Sequence, residues 1–381
     1  MPVPEAAPGV AELRRDPEQA LLGAAALGGL VWVRAGRRRL LLVSSPDGAR
    51  EVLVERAGEL AKPRSQAIPL GRRAVAPPGE GIAQLRRELS KGMGADRAEE
   101  VAAVLGAPVE WEDGESFPLM PWLRVRGARA VVRGAFASDL SEDEFNQLAA
   151  VVRWAGQAPR VLPRFAVPRV SRPLMLARLS VVVKSLLANA DLSRPSELSA
   201  VVDLAPRERQ ALAGELLLGA IGPLVQESGW TLFRLGTEPE AADREAFVRE
   251  VTRLHPTNPL IVRVATEDTS VGGEPVPTGS LVVVHVGALH RDAAVFSEPE
   301  RFLPERWLDG RTAEHRFSYT AFGIGDRRCL GEAIALRSLT ALLETVAREW
   351  ELSFAAVDVA ARGRRQLGDG VRVNVTRRPA T

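Results

Sequence analysis

The segment best equipped for chemistry is Phe322-Gly323-Ile324-Gly325-Asp326-Arg327-Arg328-Cys329-Leu330-Gly331. A cysteine thiolate is a soft metal ligand, and Cys329 is the only cysteine in 381 residues. Gly323 and Gly325 are free to adopt backbone conformations closed to other residues, which lets a turn pass close to a flat cofactor. A helical pattern from Leu330 to Trp350 puts Cys329 at a helix amino terminus, where backbone N–H groups and the helix dipole favour the thiolate. Phe322 could shield the sulfur from water, and Arg327 could pair with an anionic cofactor edge. Read alone, a lone cysteine beside a glycine turn is as compatible with a buried structural thiol.

Two further groups of residues carry charge in a pattern. Glu250 and Arg253 stand three apart on a helical stretch, so their side chains share a face and can pair. Arg153, Arg160, Arg164, Arg169, Arg172, Arg178 and Lys184 form a basic run without an acid. That run is either a solvated face or a surface that steers an anionic substrate or an acidic carrier protein.

The elements that must position these groups follow from periodicity. Val31–Arg34 and Arg39–Val43 around Ala35-Gly36 predict a β-hairpin, and Ser44-Ser45-Pro46-Asp47 predicts a helix start before Ala49–Leu53. Helices are expected over Glu142–Trp154, Leu174–Ala190, Arg207–Leu235, Arg244–Leu254 and Leu330–Trp350. Between the last two lies a turn-rich β region ending in Leu281–Val284, and Val371–Val375 alternates like an edge strand. No repeat or interdomain linker is visible. The expectation is a single domain over 1–381, mainly α with small sheets, whose first thirty residues are loosely structured.

Composition bounds the function. Lys+Arg 50 against Asp+Glu 48 gives a net charge of +2, which argues against a polycation built for nucleic acid. The longest weakly polar run, Ala20–Val33, is too short to span a bilayer, and no cationic region precedes an apolar stretch as in a secretory signal. One cysteine excludes an intramolecular disulfide framework and a multi-cysteine zinc site. A cytoplasmic protein is expected.

The ten-residue cysteine segment as a whole resembles the haem-binding signature of the cytochrome P450 family, and three other segments resemble that family in the same order. Glu250-Val251-Thr252-Arg253, followed by Leu254-His255-Pro256, resembles its Glu-x-x-Arg helix motif. Phe302-Leu303-Pro304-Glu305-Arg306-Trp307 resembles its meander, whose Arg306 would join Glu250 and Arg253 in a buried triad. Leu85-Arg86-Arg87-Glu88-Leu89-Ser90-Lys91 resembles the helix with a propionate-binding arginine, here Arg86, and Arg263 and Arg327 would complete that clamp. The resemblance runs from about Val31 to Val375. It implies an α+β, mainly α, triangular prism with small β-sheets. It implies haem b, with Cys329 as axial thiolate and Phe322, Gly323, Gly325 and Gly331 against the cofactor. Ala220, Leu260 and Ile261 would line the substrate pocket. The protein would be a monomer served by ferredoxin and ferredoxin reductase, or by hydrogen peroxide. The Arg-for-Lys bias, with lysine only at 62, 91 and 184, fits a high-GC bacterial source.

Two departures from the family pattern bear on mechanism. Many bacterial members carry a histidine four residues before the propionate arginine, where this chain has Ile82. The long central helix of the family presents an acid followed by threonine, a pair that relays protons during dioxygen activation. Aligned on Trp230, Gly222 and Pro223 occupy those positions, and neither side chain can donate a proton. Pro223 also removes a backbone N–H and should kink the helix. Glu227, the nearest acid, falls about one turn later. The family's fatty-acid peroxygenase branch also has proline here, but beside an arginine that grips a carboxylate.

The expected function is therefore a haem-thiolate monooxygenase or oxidative tailoring enzyme of bacterial specialised metabolism. Its substrate would bear a carboxylate or ride on a carrier, and would help deliver protons. The alternatives are a peroxide-driven peroxygenase, an isomerase or dehydratase, and a catalytically silent binding or recruitment module.

Overall fold

The computed structural model describes residues 3–35, 38–63, 80–91, 93–156, 171–191, 196, 204–238, 243–308, 310, 316–355 and 367–379. The chain opens with β1 (Glu5–Ala6), α1 (Val10–Arg15), α2 (Pro17–Ala25), β2 (Leu30–Ala35), β3 (Arg38–Val43), α3 (Pro46–Arg50) and β4 (Leu60–Ala61). Helices then dominate: α4 (Glu80–Lys91), α5 (Ala95–Leu105), a short β5 (Ser116–Pro118), α6 (Leu119–Arg129), α7 (Glu142–Gly156), α8 (Ser171–Ala188), α9 (Pro206–Leu235) and α10 (Arg244–Leu254). The remainder is β6 (Leu260–Ala265), β7 (Thr269–Val271), β8 (Glu274–Val276), β9 (Leu281–His285), α11 (Val286–Leu289), α12 (Glu332–Glu349), β10 (Trp350–Phe354) and β11 (Arg372–Arg377). The mainly helical reading with small sheets is borne out.

Six strands form one sheet in the order β1-β2-β3-β9-β6-β4. The expected hairpin is its β2–β3 pair, with Leu30 opposite Val43, and β3 runs parallel to β9 with Leu42 opposite Val283. Each face buries its own apolar cluster, with Trp32, Leu41 and Val282 in one and Val31, Leu42 and Val283 in the other. That division is the period-2 alternation of the strands made physical. The main core lies among the helices and gathers Leu123, Phe145, Leu217, Trp230, Phe247 and Leu339.

The described residues up to position 30 are not loosely structured. Pro17 stands in the first turn of α2, where its missing N–H costs nothing, and the Asp16 carboxylate accepts from the Gln19 N–H at 3.1 Å. The proline thus starts a helix rather than breaking one, and Leu13 and Leu21 are buried against the large sheet. The strand near the carboxyl terminus is also not an edge. β11 is the middle strand of β10-β11-β5. Val373 and Val375 point inward while Arg372 and Asn374 stay exposed, an alternation that edge and middle strands share. The partner on its other side, Ser116–Pro118, is too short to leave a strand signature. The expected helix over Ala49–Leu53 is α3 running into a π-helical turn at Glu51–Glu55. α5 and α6 were not foreseen; Pro121 and Gly127 disguise α6, although a proline in the first turn is tolerated. α9 stays helical through Pro223.

Candidate active site around Cys329

Cys329 sits on a turn that leads into α12. Its N–H donates to the Phe322 carbonyl at 2.7 Å, which closes the loop on itself. Gly323 and Gly325 both lie in the left-handed region, at φ 72° and 69°. At Gly323 a Cβ would meet nothing nearer than 3.8 Å, so backbone strain alone requires glycine. At Gly325 a Cβ would also fall 2.4 Å from the Leu53 carbonyl oxygen, so space forbids it as well. α12 begins at Glu332 with Gly331 as its N-cap, two residues later than the sequence pattern suggested. Phe322 packs against the helical core. Cys329 itself is exposed, on the wall of a cleft of about 700 Å³ that also carries Arg86, Arg249, Arg328 and Arg337.

Arg86 reaches the cysteine loop from α4 and donates to the Arg328 carbonyl. Arg263, on β6, is buried and donates to the Val262 carbonyl at 3.0 Å. Burial, and then the charge of Arg327, bring its affinity for a proton down to about 10. Arg327 is lowered by burial and then by Arg86. Arg86 is lowered by burial, with Cys329 and Asp326 acting the other way. The three arginines of the sequence reading are thus brought together, and neighbours among them repel. The Ile82 position lies on α4, where the described structure does not extend to its side chain.

Glu250, Arg253 and Arg306 also meet. Arg253 Nε and Nη2 donate to the two Glu250 oxygens at 2.9 and 2.7 Å, and both side chains are 0% exposed. Arg306 Nε adds a bond at 3.1 Å, the Leu303 N–H one at 3.0 Å and Trp307 Nε1 one at 3.0 Å. Arg253 spends its remaining donors on the His290, Pro299 and Arg301 carbonyls at 2.6, 2.8 and 3.2 Å. His290, which the sequence reading missed, ties this knot to the cysteine segment. It accepts the Thr320 N–H on Nε2 at 2.9 Å, so Nδ1 carries the proton and donates to the Arg253 carbonyl at 2.8 Å. Burial, opposed by that bond, pulls His290 down to about 3, so it stays neutral. A lone histidine surrounded by ordinary residues gave no sequence signal for this role.

The substrate-pocket residues are not gathered into one apolar group. Ala220 packs on the helical core, whereas Leu260 and Ile261 fall in the clusters on opposite faces of the large sheet. In the basic run, Arg153 pairs with Asp369 at 2.7 Å, and Arg178 and Lys184 stand on α8. Arg160, Arg164, Arg169 and the side chain of Arg172 lie outside the described residues.

The family profile described as Cytochrome P450 matches residues 244–365, from α10 through the cysteine turn and beyond. Cyclooctat-9-en-7-ol 5-monooxygenase of Streptomyces melanosporofaciens is 25% identical over 400 residues, covering 89% of this chain and 86% of that protein. These matches support a bacterial cytochrome P450. A putative cytochrome P450 of Mycobacterium tuberculosis is 39% identical over 113 residues, 30% of this chain and 23% of the relative. In fold, this P450 is similar to cytochrome P450 OleT in complex with arachidonic acid, with TM-score 0.83, 14% identity and full coverage of both chains. It is similar as well to cytochrome P450EX alpha with myristic acid, with TM-score 0.80, 18% identity and 99% of each chain covered. The protein is a P450-type oxidoreductase, and the cofactor is haem b. No helix among the described residues is long and apolar enough to cross a membrane.

The residues present fit haem. Three guanidiniums held near one another, partly out of water, suit a flat group carrying two carboxylates. Each charge-assisted bond is worth on the order of 1.5–3 kcal/mol. Single Arg86→Ala, Arg263→Ala and Arg327→Ala variants should therefore lose part of their haem while keeping the fold. The check is the ratio of haem absorbance to protein after gel filtration; full occupancy in all three would mean that the cluster binds something else.

Proposed function

We propose that this P450 is a bacterial monooxygenase or oxidative tailoring enzyme, in a single domain over 1–381, acting on a carboxylate-bearing or carrier-bound small molecule. Cys329 is the axial ligand, and Arg86, Arg263 and Arg327 take the propionates. Phe322, Gly323, Gly325 and Gly331 lie against the ring, and Ala220 contributes to the substrate pocket, whereas Leu260 and Ile261, on opposite faces of the large sheet, do not line it together. The observation that carries the reading is an exposed cysteine on a turn with two left-handed glycines, beside three arginines of which Arg327 is repelled by Arg86 and repels Arg263. Haem supplies the oxygen chemistry when bound. Glu250, Arg253 and Arg306 are structural: a paired charged group sealed from water fixes a fold and has no access to substrate.

Gly222 and Pro223 hold no proton on the α9 face assigned to the reacting centre. Protons must come from elsewhere, and a substrate carboxylate or hydroxyl near the reacting carbon would serve. OleT and P450EX alpha, with arachidonic and myristic acid bound, place carboxylic acids on the same fold. Electrons would come from ferredoxin and its reductase. A peroxide-driven reaction is the second reading, favoured by Gly222 and Pro223 because that oxidant brings its own protons. A matched acid and its methyl ester should separate these cases. Under reductase the acid should turn over at least about 100-fold faster, the scale of one lost proton-transfer partner. Equal rates would rule out substrate-assisted protonation, and turnover with peroxide alone would establish the second reading.

A further inference from the structure

Glu227 is an acid in the wrong place for a surface helix. It lies on α9, yet its side chain is buried, with the residue 7% exposed. Its Oε1 accepts two bonds from one residue, the Thr257 N–H at 3.0 Å and the Thr257 hydroxyl. Its Oε2 is buried and has no partner among the described residues. A carboxyl group with two donors on one oxygen and none on the other is arranged to carry its own proton on the second. A buried polar atom left open in this way is the usual seat of an ordered water. Thr231, one turn further along the same helix, also has its hydroxyl buried without a partner.

Position completes the argument. Glu227 follows Pro223 by four residues and Ala220 by seven, so the three share one helical face. Thr257 stands three residues before Leu260, at the entry to β6. An acid and an alcohol are therefore paired, but across two elements and not along one helix. We infer that Glu227, hydrogen-bonded to Thr257, is this enzyme's internal proton source, feeding the α9 face that Gly222 and Pro223 leave without a donor. The inference rests on the haem-thiolate reading above and deepens it.

The transfer balances simply. The Oε2–H bond breaks, and the proton passes to a water or to the substrate's carboxylate in the pocket. Glu227 becomes a carboxylate whose charge the Thr257 N–H and hydroxyl hold in place. A proton from bulk solvent restores the acid. Burial, opposed only by the two Thr257 bonds, raises Glu227 from 4.5 to about 7, so the neutral acid is well populated near neutrality. The groups around it do not oppose this. Tyr319, whose hydroxyl pairs with Thr252 at 2.6 Å, is pushed up by burial and stays uncharged, and no cation is among the groups that act on Glu227.

The test uses the native holoenzyme and its Glu227→Gln variant, which keeps an oxygen for Thr257 but has no acidic proton. Infrared difference spectra of the native protein should show a protonated carboxylic carbonyl band that fades with a midpoint near pH 7 and is missing in E227Q. The sign for stability follows from a raised value. The contribution of the neutral acid is complete below about pH 4.5 and is lost as pH rises through about 7, so native unfolding should ease over that window and E227Q should not share the slope. In turnover, E227Q should lose roughly 100-fold under reductase and far less with hydrogen peroxide. An ionised Glu227 throughout pH 5–8, or unchanged reductase turnover in E227Q, would overturn the inference. The infrared titration needs no variant, so a poorly folding E227Q would not blunt the test. A missing thiolate signature with carbon monoxide would sink the haem-thiolate reading and leave the infrared result standing.

Discussion

Glu250→Ala is expected to yield insoluble protein, or soluble protein without haem. The carboxylate receives bonds from Arg253, Arg306, Trp307 and the Leu303 backbone, and neither Glu250 nor Arg253 has any exposed surface. Removing it strands a guanidinium in the interior, which costs roughly 3–5 kcal/mol. A domain has only about 5–15 kcal/mol to lose. The damage would also spread to the cysteine segment, because Arg253 and His290 hold the backbone on that side. Soluble yield and the haem-to-protein absorbance ratio measure both effects, and a soluble, fully loaded variant would refute the structural role of the triad.

Cys329→Ser should do the reverse, sparing the fold and removing the chemistry. The backbone N–H of Cys329 closes the turn onto Phe322, and a serine N–H does the same. The side chain is exposed, so the oxygen buries no new polar group. A hydroxyl is a poor soft ligand, however, and does not ionise as a thiol can to give an anionic metal ligand. The carbon-monoxide difference spectrum should lose its thiolate signature while circular dichroism stays native; an unchanged spectrum would mean that another residue ligates the iron.

Much of the site was legible because it is compressed into short segments with rare chemistry. A single cysteine between paired glycines and arginines stands out in any composition, and the Glu250–Arg253 spacing states its own geometry. α10 was read to the residue because Asp243, whose carboxylate caps the Ala246 N–H at 2.8 Å, and the apolar period agree. The residues that escaped notice act across long separations. Glu227 was legible only as the nearest acid, one turn past Pro223, and its hydrogen-bond partner Thr257 stands thirty positions later. His290 and Trp307 likewise acquire their roles from partners that periodicity does not report. The middle position of β11 was hidden for the same reason, since sheet order is a property of neighbours.

The pairing of β3 with β9 has a consequence for the order of events as the protein acquires its shape. Leu42 and Val283 lie side by side, so the first hairpin finds its parallel neighbour only after more than half the polypeptide has been made. Long-range parallel pairing is slow, because the entropy of closing the intervening loop must be met before the contacts repay it. The turn at Gly325 is backed by the Leu53 carbonyl, a group from the early segment. A chain whose helices form before these distant stretches meet lacks the wall behind its thiolate. Cofactor capture belongs at the end of assembly, once the two distant stretches have met.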